Sequence, residues 1–249
     1  MLINDRLALV ASLQFGIGCG YDSHVYALRT DEGVILIDSG SGYATTALLK
    51  EVRQCWPDST IRAVILTHAH PDHACGAAGL SSSTGCSVFS PDISLAAIRQ
   101  GDEHATGLAE ARDQGVYPLD LRMLPCPTAE AYVDGNPFLI DGQEFRPIRV
   151  RGHSEDSHCL VTQLAGRRLL FAGDTLFYGG VLGVINRHDS GMQGYRSDLA
   201  KLGGLDVDAL LPGHGLFTLT NGQRHIDQAI EQKGRGFLPR QIGQMDLIF

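Results

Sequence analysis

Short apolar runs alternate with stretches of helical spacing in the first half of the chain. Val25–Leu28 and Val34–Ile37 are β-rich runs joined by Thr30-Asp31-Glu32-Gly33, a pattern that predicts a hairpin. Helical spacing follows at Ala47, Leu48, Val52 and Cys55, and Pro57 ends that helix. Ile61–Leu66 is a largely apolar run of strand length, which predicts a strand covered on both faces.

The second half repeats this rhythm of strand pairs followed by a strand and a helix. We predict strands over 138–140, 145–150, 159–164, 168–171 and 207–211, and helices over 192–202 and 223–231. Two sheets with helices outside them would bury so many short apolar strands. The pattern therefore predicts an α/β sandwich, with residues 1–249 as a single domain. Segment 91–117 is helical but polar and broken by glycine, which indicates either an inserted lid or a solvated connection.

Composition excludes several classes of protein. The 249 residues are 43% hydrophobic and 19% charged, which is typical of a folded domain and not of a disordered chain. No run approaches the roughly 18 apolar residues of a membrane helix, so we expect no membrane partner. The net charge of −8 argues against nucleic acid as a partner, because surfaces that bind polyanions carry a basic excess.

Cysteines and the chain ends bear on location and assembly. None of the six cysteines forms a C-x-x-C pair, so we expect reduced thiols in a cytoplasmic protein, with one disulfide pair left open. The apolar stretch from Leu7 to Cys19 follows Asp5 and Arg6, which favours a first strand over a signal peptide. The apolar end of Leu238–Phe249 would dock on the core, dock on a partner subunit as in a homodimer, or form a frayed tail.

The most informative segment is Thr67-His68-Ala69-His70-Pro71-Asp72-His73, directly after the predicted buried strand. Three imidazoles and a carboxylate in one loop have no packing reason to cluster and would repel one another when protonated. A bound cation resolves both difficulties. Pro71 stiffens the loop, and the sequence therefore predicts a metal site here.

Three further candidate ligands each follow a glycine at the end of a predicted strand. They are His153 in Arg151-Gly152-His153-Ser154, Asp174 in Ala172-Gly173-Asp174-Thr175 and His214 in Pro212-Gly213-His214-Gly215. A glycine allows a tight turn that directs the next side chain over the sheet edge. Each candidate is weak alone, but the repeated pattern strengthens all three.

In these motifs, from about Val25 to His214, the chain resembles the metallo-β-lactamase superfamily and, within it, the glyoxalase II-like hydrolases. The resemblance implies a four-layer αββα sandwich with a dinuclear metal site at one edge. It implies that His68, His70 and His153 hold one ion, that Asp72, His73 and His214 hold the other, and that Asp174 bridges them. It also implies that Asp38 hydrogen-bonds a ligand histidine, and an ordinary aspartate in a turn at the strand end is the alternative. Thr67 and His158 are further candidates for support behind the ligands, with a core position the alternative for His158.

The chemistry of such a site is hydrolysis. Two divalent ions can share one hydroxide, and zinc lowers the pKa of bound water to about 7. That hydroxide would attack an electrophilic carbonyl while Asp72, the predicted catalytic residue, orients it. Donors that are all nitrogen and oxygen accept zinc, iron or manganese; we expect two zinc ions per chain.

The substrate is expected to be a small molecule with an ester-like bond. A thioester or a lactone ranks before a β-lactam. The basic residues after His214 do not match the glutathione-binding residues of true glyoxalase II enzymes, so the thiol is left open. Candidates for substrate contact are Tyr178, Arg187 and His188, in the loop that follows Asp174.

Two other functions remain open from the sequence. One is a protein that resembles persulfide dioxygenases, which use one iron held by two histidines and an aspartate in the same fold. The other is a non-catalytic metal-binding module, which the seven filled ligand positions disfavour. A nuclease of the same superfamily is disfavoured by the acidic charge.

Overall fold

A computed structural model of the chain describes residues 1–234. The predicted tail Leu238–Phe249 lies outside the described residues. The chain divides into two compact units. The first comprises Met1–Tyr132 and Ile140–Gly142, and the second comprises Val133–Leu139 and the described residues from Gln143 onward. The prediction of a single domain is not tested by this division.

The first unit is built on a seven-stranded mixed sheet whose strands follow one another in chain order, β1 to β7. The first four strands are antiparallel neighbours, and β4 to β7 run parallel. The strands are β1 Leu2–Asn4, β2 Leu7–Ala11, β3 Val25–Arg29, β4 Val34–Ile37, β5 Ile61–Ile65, β6 Ser87–Pro91 and β7 Glu130–Tyr132. The helices are α1 Thr45–Cys55, α2 Pro71–Ala74, α3 Ala77–Thr84, α4 Leu95–Gln100 and α5 Leu108–Asp113.

Burial explains the central strands of this sheet. All four residues of β4 are buried, and β5 is buried except at Arg62. Because β5 lies between the parallel strands β4 and β6, it has no edge and needs apolar side chains on both faces. Leu48 and Val52, four residues apart on α1, face the core. The predicted hairpin and the buried strand are both confirmed.

The second unit contains a five-stranded sheet in the order β14-β11-β10-β9-β8 and a separate two-stranded ribbon of β12 and β13. Strands β9, β10 and β11 are antiparallel, whereas β11 and β14 are parallel. The strands are β8 Phe138–Ile140, β9 Gln143–Arg149, β10 His158–Leu164, β11 Arg167–Gly173, β12 Leu176–Phe177, β13 Val181–Leu182 and β14 Ala209–Pro212. The helices are α6 Met192–Asp198 and α7 Gly222–Gly234, with 3₁₀ turns at Tyr178–Gly180 and Leu199–Leu202.

The α/β class predicted from the sequence is confirmed, since each unit holds a sheet with helices packed against it. The predicted helix 192–202 is an α-helix that continues as a 3₁₀ turn. Segment 91–117 contains α4 and α5, and its action as a lid stays a prediction. All six cysteines are free thiols. Within the described residues, none of the helices combines the length and hydrophobicity needed to cross a lipid bilayer.

Candidate metal centre

The first cluster of predicted ligands lies where β5 ends. His68 and His70 occupy the loop after the strand, and Asp72 and His73 belong to the one-turn helix α2. Pro71 is the first residue of that helix, a position that its fixed φ angle favours. A short loop and an immediate helical turn thus place four candidate donors within six consecutive residues.

The side chains of this cluster converge. Nε2 of His68 lies 3.1 Å from Nδ1 of His70, and Nε2 of His73 lies 3.5 Å from Oδ2 of Asp72. The three imidazoles are buried, and the Asp72 side chain is 16% exposed. The donors of Asp72 and His73 therefore face each other, as do those of His68 and His70.

Asp38, at the end of β4, organises the cluster from behind. Its backbone has a φ of 64°, which is uncommon outside glycine and is found at functional sites. Oδ1 accepts the Thr67 backbone N–H at 2.7 Å, and Oδ2 lies 2.8 Å from Nδ1 of His73. Burial raises the pKa of the Asp38 carboxyl, and His73 opposes that rise. Because a carboxylate accepts, Nδ1 of His73 donates and Nε2 is left for a metal.

Thr67 fixes the tautomer of His68 as Asp38 fixes that of His73. Its hydroxyl Oγ1 donates to Asp38 Oδ2 at 3.0 Å and lies 3.0 Å from Nδ1 of His68. Since the hydroxyl proton goes to the carboxylate, Oγ1 accepts from the imidazole. Asp38 and Thr67, both predicted as support for the ligands, therefore contact His73 and His68.

The second cluster consists of His153, Asp174 and His214, which follow β9, β11 and β14. Oδ2 of Asp174 lies 3.5 Å from Nε2 of His153 and 3.5 Å from Nε2 of His214. The parallel ends of β11 and β14 are joined by a hydrogen bond from the Gly213 N–H to the Gly173 carbonyl at 2.7 Å. The pairing of these two strands brings Asp174 and His214 to one sheet edge.

Gly183 fixes the orientation of His153. Its carbonyl lies 2.9 Å from Nδ1 of His153 and also accepts the Tyr195 hydroxyl at 3.3 Å. A carbonyl only accepts, so Nδ1 of His153 donates and Nε2 faces Asp174. A Cβ at position 183 would lie 1.8 Å from the Asp174 carbonyl oxygen, so only glycine fits this approach.

Helix α6 holds the turn that carries His153. The Tyr195 ring lies against Gly152, where a Cβ would come within 2.2 Å of the ring. Asp198 accepts the Arg151 backbone N–H at 3.2 Å and the guanidinium at 2.6 and 3.1 Å. Burial opposes ionisation of Asp198, but the hydrogen bonds from Arg151, together with the Lys201 ammonium at 3.3 Å, outweigh it and lower its pKa to about 2. One helix face therefore clamps the residues just before His153.

The spacing of donors in both clusters fits a metal ion. In a tetrahedral zinc site, ligands about 2.0–2.1 Å from the metal lie about 3.3–3.4 Å from one another. The facing donor pairs within each cluster are separated by 3.1 to 3.5 Å. Nitrogen and oxygen donors that are largely buried suit a divalent cation. The imidazoles and carboxylates of both clusters are thus candidates for metal binding.

The remaining predicted residues lie in the second unit. His158 is buried, its Nδ1 lies 2.7 Å from the Asp156 carbonyl, and burial lowers its pKa. Tyr178 is 46% exposed, and the centroid of its ring lies 4.3 Å from that of the His225 ring. Arg187 forms an ion pair with Asp189 at 2.8 Å, and His188 is exposed. Substrate contact by Tyr178, Arg187 and His188 stays a prediction.

Four residues at these clusters were not predicted from the sequence. The Tyr117 hydroxyl donates to Oδ1 of Asp72 at 3.1 Å, and Gly183, Tyr195 and Asp198 support the second cluster. Each is distant in sequence from the ligand that it contacts or positions, and none stands in a recognisable motif. The only available signal was the helical pattern that placed Tyr195 and Asp198 on one helix.

Comparison with known proteins relates the chain to one superfamily and to individual proteins of known name. A model of the metallo-β-lactamase superfamily matches residues 20–214. The chain is 29% identical over 213 residues to an atrochrysone carboxyl ACP thioesterase from Aspergillus fumigatus, covering 86% of this chain and 56% of the relative. It is 25% identical over 202 residues to a hydroxyacylglutathione hydrolase from Marinomonas sp., covering 80% of this chain and 63% of the relative. The chain thus spans less than two thirds of the length of these relatives.

Solved structures share the fold. A metallo-β-lactamase with the HARLDQ motif from Cronobacter sakazakii has a TM-score of 0.69 at 19% identity, covering 95% of this chain and 96% of the other. The FEZ-1 metallo-β-lactamase from Legionella gormanii has a TM-score of 0.68 at 17% identity, covering 93% and 92%. These matches confirm the metallo-β-lactamase fold that the sequence predicted.

The clamp on the His153 turn is tested by Asp198→Asn. The pKa of about 2 corresponds to about 2–3 kcal/mol of stability at pH 7. A lowered carboxyl pKa stabilises above the unfolded value, near 3.8, and this contribution is lost as pH falls toward 2. We expect Asp198→Asn to lower the free energy of unfolding by that amount at pH 7, measured by urea denaturation, and by about half as much near pH 3.

Glu155→Gln is the matched control, because its ion pair with Arg149 has a glutamate that is 57% exposed. It should change stability by less than about 0.5 kcal/mol. Equal effects of the two substitutions, or no pH dependence for Asp198→Asn, would show that the clamp does not stabilise this turn.

Proposed function

Because the chain belongs to the metallo-β-lactamase superfamily, we propose that it is a dinuclear metal-dependent hydrolase of thioesters. His68, His70 and His153 would hold one ion, Asp72, His73 and His214 the other, and Asp174 would bridge them. One water is consumed for each substrate, the carbon–sulfur bond breaks, and the products are a carboxylic acid and a thiol.

The observation that carries the proposal is how the imidazoles are anchored. Nδ1 of His68, His73 and His153 each lies 2.8–3.0 Å from an oxygen atom, which leaves Nε2 as the donor. Anchoring through the second nitrogen is characteristic of metal-binding histidines, because it fixes both tautomer and ring orientation. Histidines that only pack in a core do not require this anchoring, and here three histidines share it.

Divalent ions, when bound, lower the pKa of a coordinated water to about 7 and polarise the substrate carbonyl. Asp72 is proposed to orient the water that adds to the carbonyl carbon. The Tyr117 hydroxyl, which donates to Oδ1 of Asp72, keeps that carboxylate in one rotamer. Asp38 keeps the His73 ring fixed while charge changes in the reaction.

The choice of a thioester is supported by relatives of two kinds. One is named an atrochrysone carboxyl ACP thioesterase and another a hydroxyacylglutathione hydrolase. The two names indicate different thiols but the same thioester bond. We therefore propose that this protein hydrolyses a thioester and leave the thiol part of the substrate open. Zinc is the proposed metal.

Metal content and hydrolysis test this proposal together. We expect about two zinc ions per chain by inductively coupled plasma mass spectrometry, and release of free thiol from model thioesters. His70→Ala should lose metal and activity together, whereas Asp72→Ala should retain some metal and lose most turnover, on the order of 10²-fold or more. Asp31→Asn, at an exposed carboxylate outside both clusters, serves as the control and should change neither metal content nor turnover.

Other results would redirect the proposal. One iron per chain with oxygen uptake would favour a dioxygenase. Faster turnover of lactones or β-lactams than of thioesters would retain the metal centre and replace the substrate. Full activity of His70→Ala or Asp72→Ala would contradict the assigned ligands.

Asp38→Asn tests the anchoring of His73. An amide at this position no longer offers two equivalent anionic oxygens to Thr67 and His73, so the imidazole loses its fixed tautomer. We expect zinc affinity to fall about 10- to 100-fold, measured by competition with a chromogenic chelator. Asp31→Asn, at an exposed carboxylate, should leave the affinity unchanged. An unaltered affinity in Asp38→Asn would remove Asp38 from the proposed centre.

A further inference from the structure

Three tyrosines form a row beside Asp72 in the first unit. The Tyr117 hydroxyl contacts Oδ1 of Asp72. The Tyr21 ring lies 6.1 Å from the Tyr117 ring, and the Tyr43 ring lies 5.7 Å from the Tyr21 ring. We call Tyr21, Tyr43 and Tyr117 the tyrosine wall. Its inner end touches a residue that we place in the reaction.

Exposure increases outward along the wall. Tyr117 is half-buried and packs against the core, whereas Tyr21 is 36% and Tyr43 50% exposed. Large aromatic side chains that remain open to solvent in one contiguous row are typical of a binding surface. The row leads from solvent to the carboxylate of Asp72.

The backbone beneath the outer rings is held rigidly. Oδ1 of the buried Asp22 accepts the Ser41 backbone N–H at 2.9 Å and its hydroxyl at 2.7 Å. Oδ2 accepts the Cys19 N–H at 3.1 Å. One carboxylate thus ties the segment that ends at Tyr21 to the segment that leads into Tyr43. A surface organised in this way loses little entropy when a ligand binds.

The ring geometry favours a flat aromatic partner. Tyr21 and Tyr43 meet edge to face at 72°, and Tyr21 and Tyr117 are tilted by 53°. The faces and edges of these rings attract another π system through their quadrupoles, beyond the contact that a saturated ring of equal size would make. The row is longer than one ring, so a fused ring system contacts more of it than a single ring does.

We propose that the tyrosine wall binds a planar aromatic acyl group, preferentially of two or more fused rings, and presents its carbonyl near Asp72. This inference rests on the proposed hydrolase function, which it deepens by naming the acyl part of the substrate. The wall leaves the thiol carrier undefined.

Matched thioesters of N-acetylcysteamine test the proposal on the zinc-loaded protein. The 2-naphthoyl ester is compared with its saturated decalin-2-carbonyl counterpart, and the benzoyl ester with the cyclohexanecarbonyl ester. We expect kcat/KM for naphthoyl to exceed that for decalin by roughly tenfold. Tyr43→Ala should lower the naphthoyl value about three- to tenfold and bring the ratio of naphthoyl to decalin closer to one.

Tyr43→Phe and Leu139→Ala are the controls. Tyr43→Phe keeps the ring and should retain the naphthoyl preference. Leu139 is 68% exposed in the second unit, and its replacement should change no ratio. A Tyr43→Phe variant as impaired as Tyr43→Ala would show that the hydroxyl, not ring contact, recognises the substrate, and would overturn the proposal.

A binding measurement separates this inference from the proposed hydrolysis. In thioether analogues the carbonyl is replaced by CH₂, so they cannot be cleaved, and their affinity is measured by calorimetry with and without zinc. Tighter binding of the naphthyl than the decalinyl thioether, lost in Tyr21→Ala and Tyr43→Ala, supports the wall even if no thioester is hydrolysed. Equal affinity of the two analogues would overturn the proposal that the tyrosine wall recognises an aromatic acyl group, whatever the rate of thioester hydrolysis.

Discussion

Buried imidazoles placed close together are stable only if each is held in one tautomer and one orientation. A pair of nitrogen donors at about 3 Å, as in His68 and His70, repels when both are protonated. In His68, His73 and His153, Nδ1 is hydrogen-bonded to an oxygen atom. The lone pair of Nε2 therefore remains available for a metal ion. The surrounding structure serves this constraint: an aspartate with a left-handed backbone, a threonine hydroxyl and a glycine carbonyl.

The supports come from elements that are rigid for independent reasons. Asp38 ends a strand whose four residues are all buried, and it reaches both the loop and the one-turn helix that carry the first cluster. In the second unit, α6 contributes Tyr195 under Gly152 and Asp198 on Arg151. The hydroxyl of Tyr195 also donates to the Thr175 carbonyl at 2.9 Å. The positions of the candidate metal ligands therefore depend on the packing of residues that are not themselves candidate ligands.

Our two proposals assign recognition and chemistry to different kinds of side chain in the first unit. The proposed chemistry relies on buried imidazoles and carboxylates, whereas the proposed recognition relies on the ring faces and edges of tyrosines, two of which are exposed. Tyr117 belongs to both, since its ring faces Tyr21 and its hydroxyl donates to Asp72. This division fits a superfamily whose members share a fold, because the names of two relatives of this chain indicate different substrates.

The sequence by itself determined the family, the α/β class and the central strands, because buried strands and metal-ligand motifs are local patterns with a strict chemistry. It did not predict the edge strands β1 and β7 or the short ribbon of β12 and β13, whose two or three residues carry too little periodicity. Asp38 was predicted as a support through the family resemblance, and Thr67 stands directly before His68. Gly183, Tyr195, Asp198 and Tyr117 were decided only by the tertiary structure. Their roles depend on contacts across many residues of chain, and no local spacing encodes which carbonyl or carboxylate a folded chain brings to a given ring.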